Sequence, residues 1–259
     1  MIFIYNLGFD IFNAKTLLLI VVGFIAGIIN TIAGGGSLLT LPMLIFMGLP
    51  SSIANGTNRI AILIQNFFST AGFKSKGITT FPFSIWLGIS ALLGAIFGAY
   101  LGSIYFKDEV FNKILSIVML LVVVYMIFKP KTTIQNLVER TNGKYFWLQV
   151  IAFFFIGIYG GFIQAGTGIF IILALNIIGH FTLVKSNAIK TVVVIFYTLS
   201  ALAIYAYNDK INYSMGFTLA IGNATGAWLA SRWSVKKGDG VVRWFLIIMV
   251  SVMAVRLWF

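Results

Sequence analysis

Long apolar runs alternate with short polar stretches along most of the chain. A helix needs about 20 mostly apolar residues to cross a bilayer, and the runs approach or exceed that length. The pattern predicts an all-α integral membrane protein, a polytopic bundle of about 8–10 helices. The apolar runs lie at about 16–49, 60–73, 81–106, 110–128, 145–179, 191–207, 213–231 and 241–259.

Two of these runs are interrupted by glycine. Ala33-Gly34-Gly35-Gly36 lies inside the first run, and Ala165-Gly166-Thr167-Gly168 lies inside the fifth. A helix break in lipid leaves backbone N–H and C=O groups without partners. Such a break is tolerated only where it is buried in protein or lines a polar cavity. We therefore expect a broken or re-entrant helix at each position, and one wall of a transport site.

The two halves of the chain resemble each other when residue n is compared with residue n + 132. The predicted organisation is a first membrane repeat over 1–128, a basic cytoplasmic linker over 129–144 and a second membrane repeat over 145–259. Paired Gly-interrupted segments at corresponding positions of two halves indicate a transporter binding site. Besides the glycine clusters, the matches are Asn55-Gly56-Thr57-Asn58 with Asn187-Ala188-Ile189-Lys190 and Gly94-Ala95 with Gly226-Ala227.

The distribution of basic residues among the loops discriminates between parallel and inverted repeats. If each opening segment crosses once, the basic loops 129–144 and 232–243 fall on opposite sides. If it enters and returns, they share one side. Cytoplasmic loops are rich in Lys and Arg, so the second arrangement is favoured, and it gives two inverted repeats. It places Lys74, Lys76, Lys129, Lys131, Arg140, Lys144, Arg232, Lys236, Lys237 and Arg243 on the cytoplasmic side, and Lys107, Lys113, Lys185 and Lys210 on the other.

Composition excludes several function classes. The 259 residues are 60% hydrophobic and 9% charged, against about a quarter charged in soluble domains. The net charge of +12 is explained by basic loops, so we expect a bilayer and no nucleic acid as partner. There is no cysteine, and the six acids lie in loops or tails. We therefore expect no metal, no cofactor and no enzymatic activity, since buried carboxylate chemistry is missing.

Two cations, Arg59 and Lys190, are predicted to lie inside the membrane. From Arg59 to Phe73 is too short for a span, so the helix extends back to about Ile53 and takes Arg59 into the hydrocarbon zone. A cation near a helix N-terminus is opposed by the macrodipole. With no carboxylate in the spans, an anionic ligand would neutralise it. The alternative is that both side chains extend to the headgroups.

The glycine breaks have a complementary property. If Ser37 and Thr167 begin half-helices, free N–H groups and the helix dipole favour negative charge there. The alternatives are helix capping, interhelical hydrogen bonds and close helix packing, and for Gln65, Asn66 and Asn223 we favour bonds between helices. The candidate substrate-binding residues are Asn30, Thr31, Gly34, Gly35, Gly36, Ser37, Asn55, Thr57, Asn58, Arg59, Gln164, Gly166, Thr167, Gly168, Asn187 and Lys190.

The motifs resemble a known family. Asn30-Thr31-Ile32-Ala33-Gly34-Gly35-Gly36-Ser37, Leu41-Pro42 and Ala54-Asn55-Gly56-Thr57-Asn58-Arg59 are similar to the first half of the TauE/SafE family of sulfite and organosulfonate permeases. The stretch 160–168 followed by Asn187 resembles its second repeat, so the likeness covers essentially the whole chain. Ala188-Ile189-Lys190 departs from the small-residue pattern usual there. The resemblance implies transport of small sulfur-containing anions across the cytoplasmic membrane.

These observations predict a multi-pass secondary transporter of the cytoplasmic membrane. It would export a small oxyanion, such as sulfite or an organosulfonate, by alternating access around a site between the two broken helices. An anion channel and a membrane scaffold without transport activity are the alternatives. A small anionic substrate and the bilayer are the expected partners, and a homodimer is left open.

Overall fold

A bundle of α-helices forms in the computed structural model, which describes residues 14–105, 108–128, 138–233 and 250–258. Within them there are nine long or half-length helices, residues 250–258 are also helical, and no strand occurs. The all-α prediction of about 8–10 helices is therefore confirmed. The helices are α1 (Ala14–Ala33), α2 (Ser37–Phe46), α3 (Ser51–Lys74), α4 (Phe83–Ile104), α5 (Asp108–Phe128), α6 (Gly143–Phe162), α7 (Thr167–Ile177), α8 (Leu183–Tyr207) and α9 (Tyr213–Trp233).

Four helices, α1, α4, α6 and α8, are long and apolar enough to cross a membrane. The helices α2 and α7 have only 10 and 11 residues, about half of a span. Most of the predicted linker, residues 129–137, lies outside the described part of the chain, and so do Lys107, Lys236, Lys237 and Arg243.

Both predicted breaks are present. Helix α1 ends at Ala33 because Gly34 takes a left-handed backbone conformation with φ of 80°, and Gly166, with φ of 75°, precedes α7. Glycine adopts this conformation without steric cost, whereas a side chain would be strained.

Each opening segment enters the bundle and returns. After α7, the N–H of Arg140 donates to the Gly179 carbonyl at 2.9 Å, next to the start of α6. In the first half, Gly36 lies directly against the backbone of Ala26 in α1. The opening segments are therefore re-entrant: a 20-residue helix followed by a half-length helix that runs back.

Corresponding helices of the two halves run in opposite directions. Thr70 near the end of α3 bonds Thr191 near the start of α8, whereas Asn55 near the start of α3 bonds Tyr205 near the end of α8. Helices α1 and α9 pack in parallel, and so do α6 and α4, across the two halves. This arrangement is consistent with the predicted inverted repeats, which remain a prediction.

One end of the bundle is basic. Lys74 ends α3, Arg232 is in the last turn of α9, and Arg140 and Lys144 lie at the start of α6. We call this the basic end. The prediction that Lys185 lies on the other side is wrong: its ammonium group is 2.6 Å from a carboxylate oxygen of Glu139, beside Arg140. The reason is that α6 and α7 form a hairpin, which returns the chain to the side it left.

The opposite end carries three of the four described acids, Asp108, Glu109 and Asp209. The N–H of Ser52 at the start of α3 donates to Asp108 at 3.2 Å, and Asp209 follows the end of α8. Lys113 and Lys210 belong to this end, and so do Lys15 at the start of α1 and Arg256, whose guanidinium carbon is 4.4 Å from the centre of the Phe46 ring at the end of α2. Most of the described acids also lie at this end, so the net positive charge of the described residues is larger at the basic end.

Glycines four residues apart bring the helix backbones together. A Cβ atom at Gly27 of α1 would lie 2.3 Å from the Asn223 carbonyl oxygen of α9, and one at Gly98 of α4 would lie 1.8 Å from the Ile158 carbonyl oxygen of α6. Small residues at this spacing are typical of close packing between membrane helices. The same pattern recurs at Gly23–Gly27, Gly222–Gly226, Gly94–Gly98–Gly102 and Gly157–Gly161.

Candidate functional site

The two helix breaks meet inside the bundle. A Cβ atom at Gly34 would lie 2.4 Å from the carbonyl carbon of Gly168, and Gly166 lies next to Leu38 of α2. The backbones of the two clusters are therefore in direct contact, although the clusters are more than 130 residues apart in sequence. The first turns of α2 and α7 are thus next to each other.

The backbone donors at these breaks are buried and unpaired. Among the described residues, no hydrogen-bond acceptor is within reach of the N–H groups of Gly35, Gly36, Ala165 and Gly166. These groups precede the N-termini of α2 and α7, where the helix dipole is positive. Buried N–H groups without a partner are rare in folded proteins, and at a helix N-terminus they favour an anion.

Arg59 lies deep in the bundle, next to the second break. Its side chain is fully buried and donates to the carbonyl oxygens of Gly160 and Gly161 at 3.0 and 2.5 Å. Its guanidinium carbon is 4.6 Å from the centre of the Tyr205 ring, and its Nε atom has no partner in the described chain. Extension to the headgroups, the alternative considered from the sequence, does not describe this side chain.

Lys190 occupies the related position at the first break. Its ammonium group donates to the carbonyl oxygens of Asn30 and Thr31 at 2.6 and 3.1 Å, and to the side-chain oxygen of Asn187 at 2.7 Å. Both carbonyl groups belong to the last turn of α1. Each buried cation therefore binds the C-terminal end of the broken helix of the other half.

An asparagine accompanies each cation. The Asn187 amide donates to the Ile32 carbonyl at 2.8 Å, and the Asn55 amide donates to the Phe162 carbonyl at 2.8 Å. Asn55 and Asn187 are related by the sequence offset, and both bind the end of the opposite half's first helix. Residues at corresponding positions of the two halves therefore make corresponding contacts.

These contacts refine the expected role of the cations. Sequence reasoning paired Arg59 and Lys190 with an anion, whereas the structure pairs them with helix carbonyl groups. A broken helix has a negative C-terminal end as well as a positive N-terminal one, and cations are stabilised at the former. The positive charge nonetheless stays close to the breaks, because Gly160, which binds Arg59, contacts Thr167 at the start of α7.

Further polar side chains border the breaks. The Thr40 hydroxyl of α2 donates to Asn58 at 2.7 Å, and the Gln164 amide donates to the Thr198 hydroxyl at 3.2 Å. The Asn58 Nδ2 and Gln164 Oε1 atoms are buried and have no partner in the described chain. Tyr205, Thr40 and Thr198 were missed from the sequence, where isolated hydroxyl groups in apolar runs carry no signal.

Not every candidate residue faces the breaks. Thr57 accepts a bond from the N–H of Asn212 at the opposite end of the bundle, which is a structural role. Thr31 accepts a bond from Ser69, and Thr167 donates to carbonyl groups of the second break. Ser37 is buried in the first turn of α2.

The site lacks acidic groups in the part of the chain that the structure describes. Asp108, Glu109 and Asp209 are exposed, and Glu139 is about one-third exposed and paired with Lys185. Within the same residues no cluster of His, Cys, Asp or Glu could hold a metal ion. The arrangement supplies hydrogen-bond donors and positive charge, which suit a small anion.

Broken helices that meet inside a polytopic α-helical bundle define a membrane protein of the transporter class. A family model described as sulfite exporter TauE/SafE matches residues 19–257. The chain therefore belongs to the TauE/SafE family, and the resemblance seen in its motifs is confirmed.

Curated relatives agree with this assignment. The chain is similar to a probable membrane transporter protein of Haemophilus influenzae, with 29% identity over 93% of both chains. It is 28% identical to the probable membrane transporter protein YfcA of Escherichia coli K12, over 96% of this chain and 92% of the relative. A probable membrane transporter protein of Sinorhizobium sp is 27% identical, over 92% and 90%. No solved structure matches the chain.

Proposed function

We propose that this protein is a secondary transporter that carries a small sulfur-containing oxyanion, such as sulfite or an organosulfonate, across the cytoplasmic membrane. The anion binds where α2 and α7 begin. Backbone N–H groups around Gly35, Gly36, Ala165 and Gly166 donate hydrogen bonds to it, and Arg59 supplies positive charge from behind the second break.

The observation that carries this proposal is the meeting of two helix N-termini, each preceded by two buried N–H groups that have no acceptor in the described chain. Two helix N-termini and a buried guanidinium group make this place electropositive. The Asn58 Nδ2 atom offers a further donor. A divalent or monovalent oxyanion can accept several such bonds at once, whereas a cation would be repelled by the positive charge of the site.

Transport would proceed by rocking of one repeat against the other around this site. The basic end is the cytoplasmic one, by the rule that cytoplasmic loops are positive. Export is the favoured direction, because an inside-negative potential drives an anion outward by about 2.3 kcal/mol per charge per 100 mV.

The test is flux in proteoliposomes that contain the purified protein. We expect saturable uptake of sulfite or an alkanesulfonate and a smaller response to a carboxylate of the same size. Preloaded unlabelled substrate should accelerate the entry of labelled substrate, which is counterflow. Saturable counterflow identifies a carrier, flux without it identifies a channel, and the absence of flux for every anion tested would refute the proposal.

A further inference from the structure

Three buried amide side chains are left unused by the anion site. Gln65 and Asn66 of α3 and Asn223 of α9 are fully buried. The sequence suggested that they bond neighbouring helices. In the described chain, both polar atoms of Gln65 and of Asn223 are unpaired, and the Asn66 amide donates only to Ile62 of its own helix.

The three amides lie at the same height in the bundle. Helices α3 and α9 run in parallel, because Gly216 contacts Thr57 and Ile60, and Gly72 contacts Ser231. Asn223 comes seven residues after Gly216, and seven residues are two helical turns. In α3, two helical turns counted from the middle of 57–60, the stretch that Gly216 contacts, lead to 65–66. Asn223 also borders α1, since its side-chain oxygen is 3.2 Å from a Cβ atom built at Gly23.

Gln65 and Asn66 belong to a polar face of α3. Asn55, Asn58, Arg59, Gln65, Asn66 and Ser69 are all fully buried, and their spacing of three, four or seven residues places them along one side of the helix. The face runs from the opposite end of the bundle to Ser69, which is level with Thr31 in the last turn of α1.

Polar groups extend this face to the basic end. Ser69 donates to Thr31 at 3.3 Å, and Thr70 donates to Thr191 at 3.0 Å. Next to Thr70, a small cavity of about 30 Å³ is lined by Lys74 and Thr80, among other residues. This volume is sufficient for one water molecule, and the Lys74 ammonium group would attract anions to its mouth.

We propose that Gln65, Asn66 and Asn223 form a second, neutral binding position on the path of the anion, level with the stretch of α1 around Gly23 and Gly27 that precedes the first break. This inference rests on the proposed function. The amide N–H groups would donate to the oxyanion, and the amide oxygens would accept hydrogen bonds from water that stays bound to it, so the anion keeps hydrogen-bond partners. A neutral position would bind the anion less tightly than the breaks do, so the anion could leave it quickly during transport.

The first test uses leucine at these positions. Gln65→Leu and Asn223→Leu remove unpaired buried polar atoms, a change that is often neutral for folding. We expect flux to fall about tenfold, the effect of losing one hydrogen bond to a charged group. Anion affinity at the breaks should change less than about twofold. Gln149→Leu is the matched control, since Gln149 is equally buried but bonds Arg140 and Tyr145 beside the start of α6.

The second test exploits the absence of cysteine from the chain. Single variants Gln65→Cys and Asn223→Cys should react with a small anionic thiosulfonate reagent, and methanesulfonate should slow the reaction. Phe67→Cys and Ile221→Cys are controls at nearly the same height, because both side chains are 51% exposed on the outside of the bundle and would face lipid. They should stay unmodified.

The outcomes separate the two proposals. If the wild-type protein neither binds nor carries any of the anions, the proposed function fails. If it does carry them while both leucine variants transport at the wild-type rate and both cysteines stay unreactive, the neutral position is refuted and the anion site at the breaks stands. Slower flux with unchanged affinity, together with protected cysteines, supports the inference.

Discussion

Replacing Arg59 with glutamine removes a buried positive charge while keeping a hydrogen-bond donor for the end of α6. The guanidinium group is 3.0 Å from the Gly160 carbonyl oxygen, and a Cβ atom at Gly160 would lie 3.0 Å from the Thr167 side chain. We take a separation of about 8 Å between the guanidinium group and an anion at the second break. At this distance, with an effective dielectric constant of about 20, the attraction is about 2 kcal/mol. We expect its loss to weaken anion binding about 30-fold.

The assay is equilibrium binding of sulfite or methanesulfonate to purified protein in lipid nanodiscs. Thermal unfolding of each variant is measured in parallel. Arg59→Gln loses one of two carbonyl contacts but also relieves the burial of a charge, so we expect a small change in melting temperature. Arg59→Lys keeps the charge and should retain most of the affinity.

The control is Arg140→Gln, which removes the same charge at the basic end. Arg140 stacks on the Tyr145 ring at 4.1 Å and is far from the breaks. Screening by salt should limit its effect on affinity to about twofold. If Arg59→Gln binds as tightly as the wild type while remaining folded, or if Arg59→Lys is equally impaired, Arg59 acts only as a cap for α6 and the electrostatic argument is refuted.

Three further substitutions test the geometry of the breaks and of the helix packing. Gly34→Ala should abolish transport and lower the melting temperature, because its Cβ would clash with the backbone of the second break. Gly48 also has a positive φ but has open space around it, so Gly48→Ala should cost only about 1–2 kcal/mol in the free energy of unfolding. Gly98→Ala in α4 should destabilise the protein more than Gly88→Ala, since the first meets a backbone carbonyl and the second a movable aromatic ring; equal melting temperatures would contradict this. Asn187→Ala should cost about 1–3 kcal/mol in the free energy of unfolding, because the buried carbonyl group of Ile32 at the end of α1 loses its donor. A denaturant titration measures this cost, and a smaller loss would mean that a water molecule replaces the Asn187 amide.

Much of the fold is readable from the sequence because its signals are local. Apolar runs of membrane length predict the helices, and Gly34 and Gly166 mark breaks because glycine tolerates a positive φ. The match between Asn55 and Asn187 indicates related halves, and both side chains have the same structural role. In each case the residue itself carries the physical property that determines its position.

The partners of the buried cations could not be read in this way. Arg59 binds carbonyl groups that lie 101 and 102 residues further along the chain, and a carbonyl group is present at every residue. The sequence shows that a charge needs compensation without showing which group provides it. The side of Lys185 was wrong although a returning second segment was predicted, because such a segment ends on the side on which it starts and therefore leaves Lys185 at the basic end.

Interrupting a helix inside a membrane creates a positive and a negative end, and in this protein the two kinds of end have different partners. The negative ends of α1 and α6 bind side chains of the opposite half, through Lys190 and Arg59. The positive ends of α2 and α7 meet each other, and the N–H groups of the two residues before each of these helices have no acceptor among the described residues. In the proposed mechanism, a movement of one half therefore displaces two sets of groups together. It moves the cations that bind the helix ends of the other half, and it moves the N–H groups that surround the anion. Binding at the breaks and the change in access are thus coupled through the same two helices.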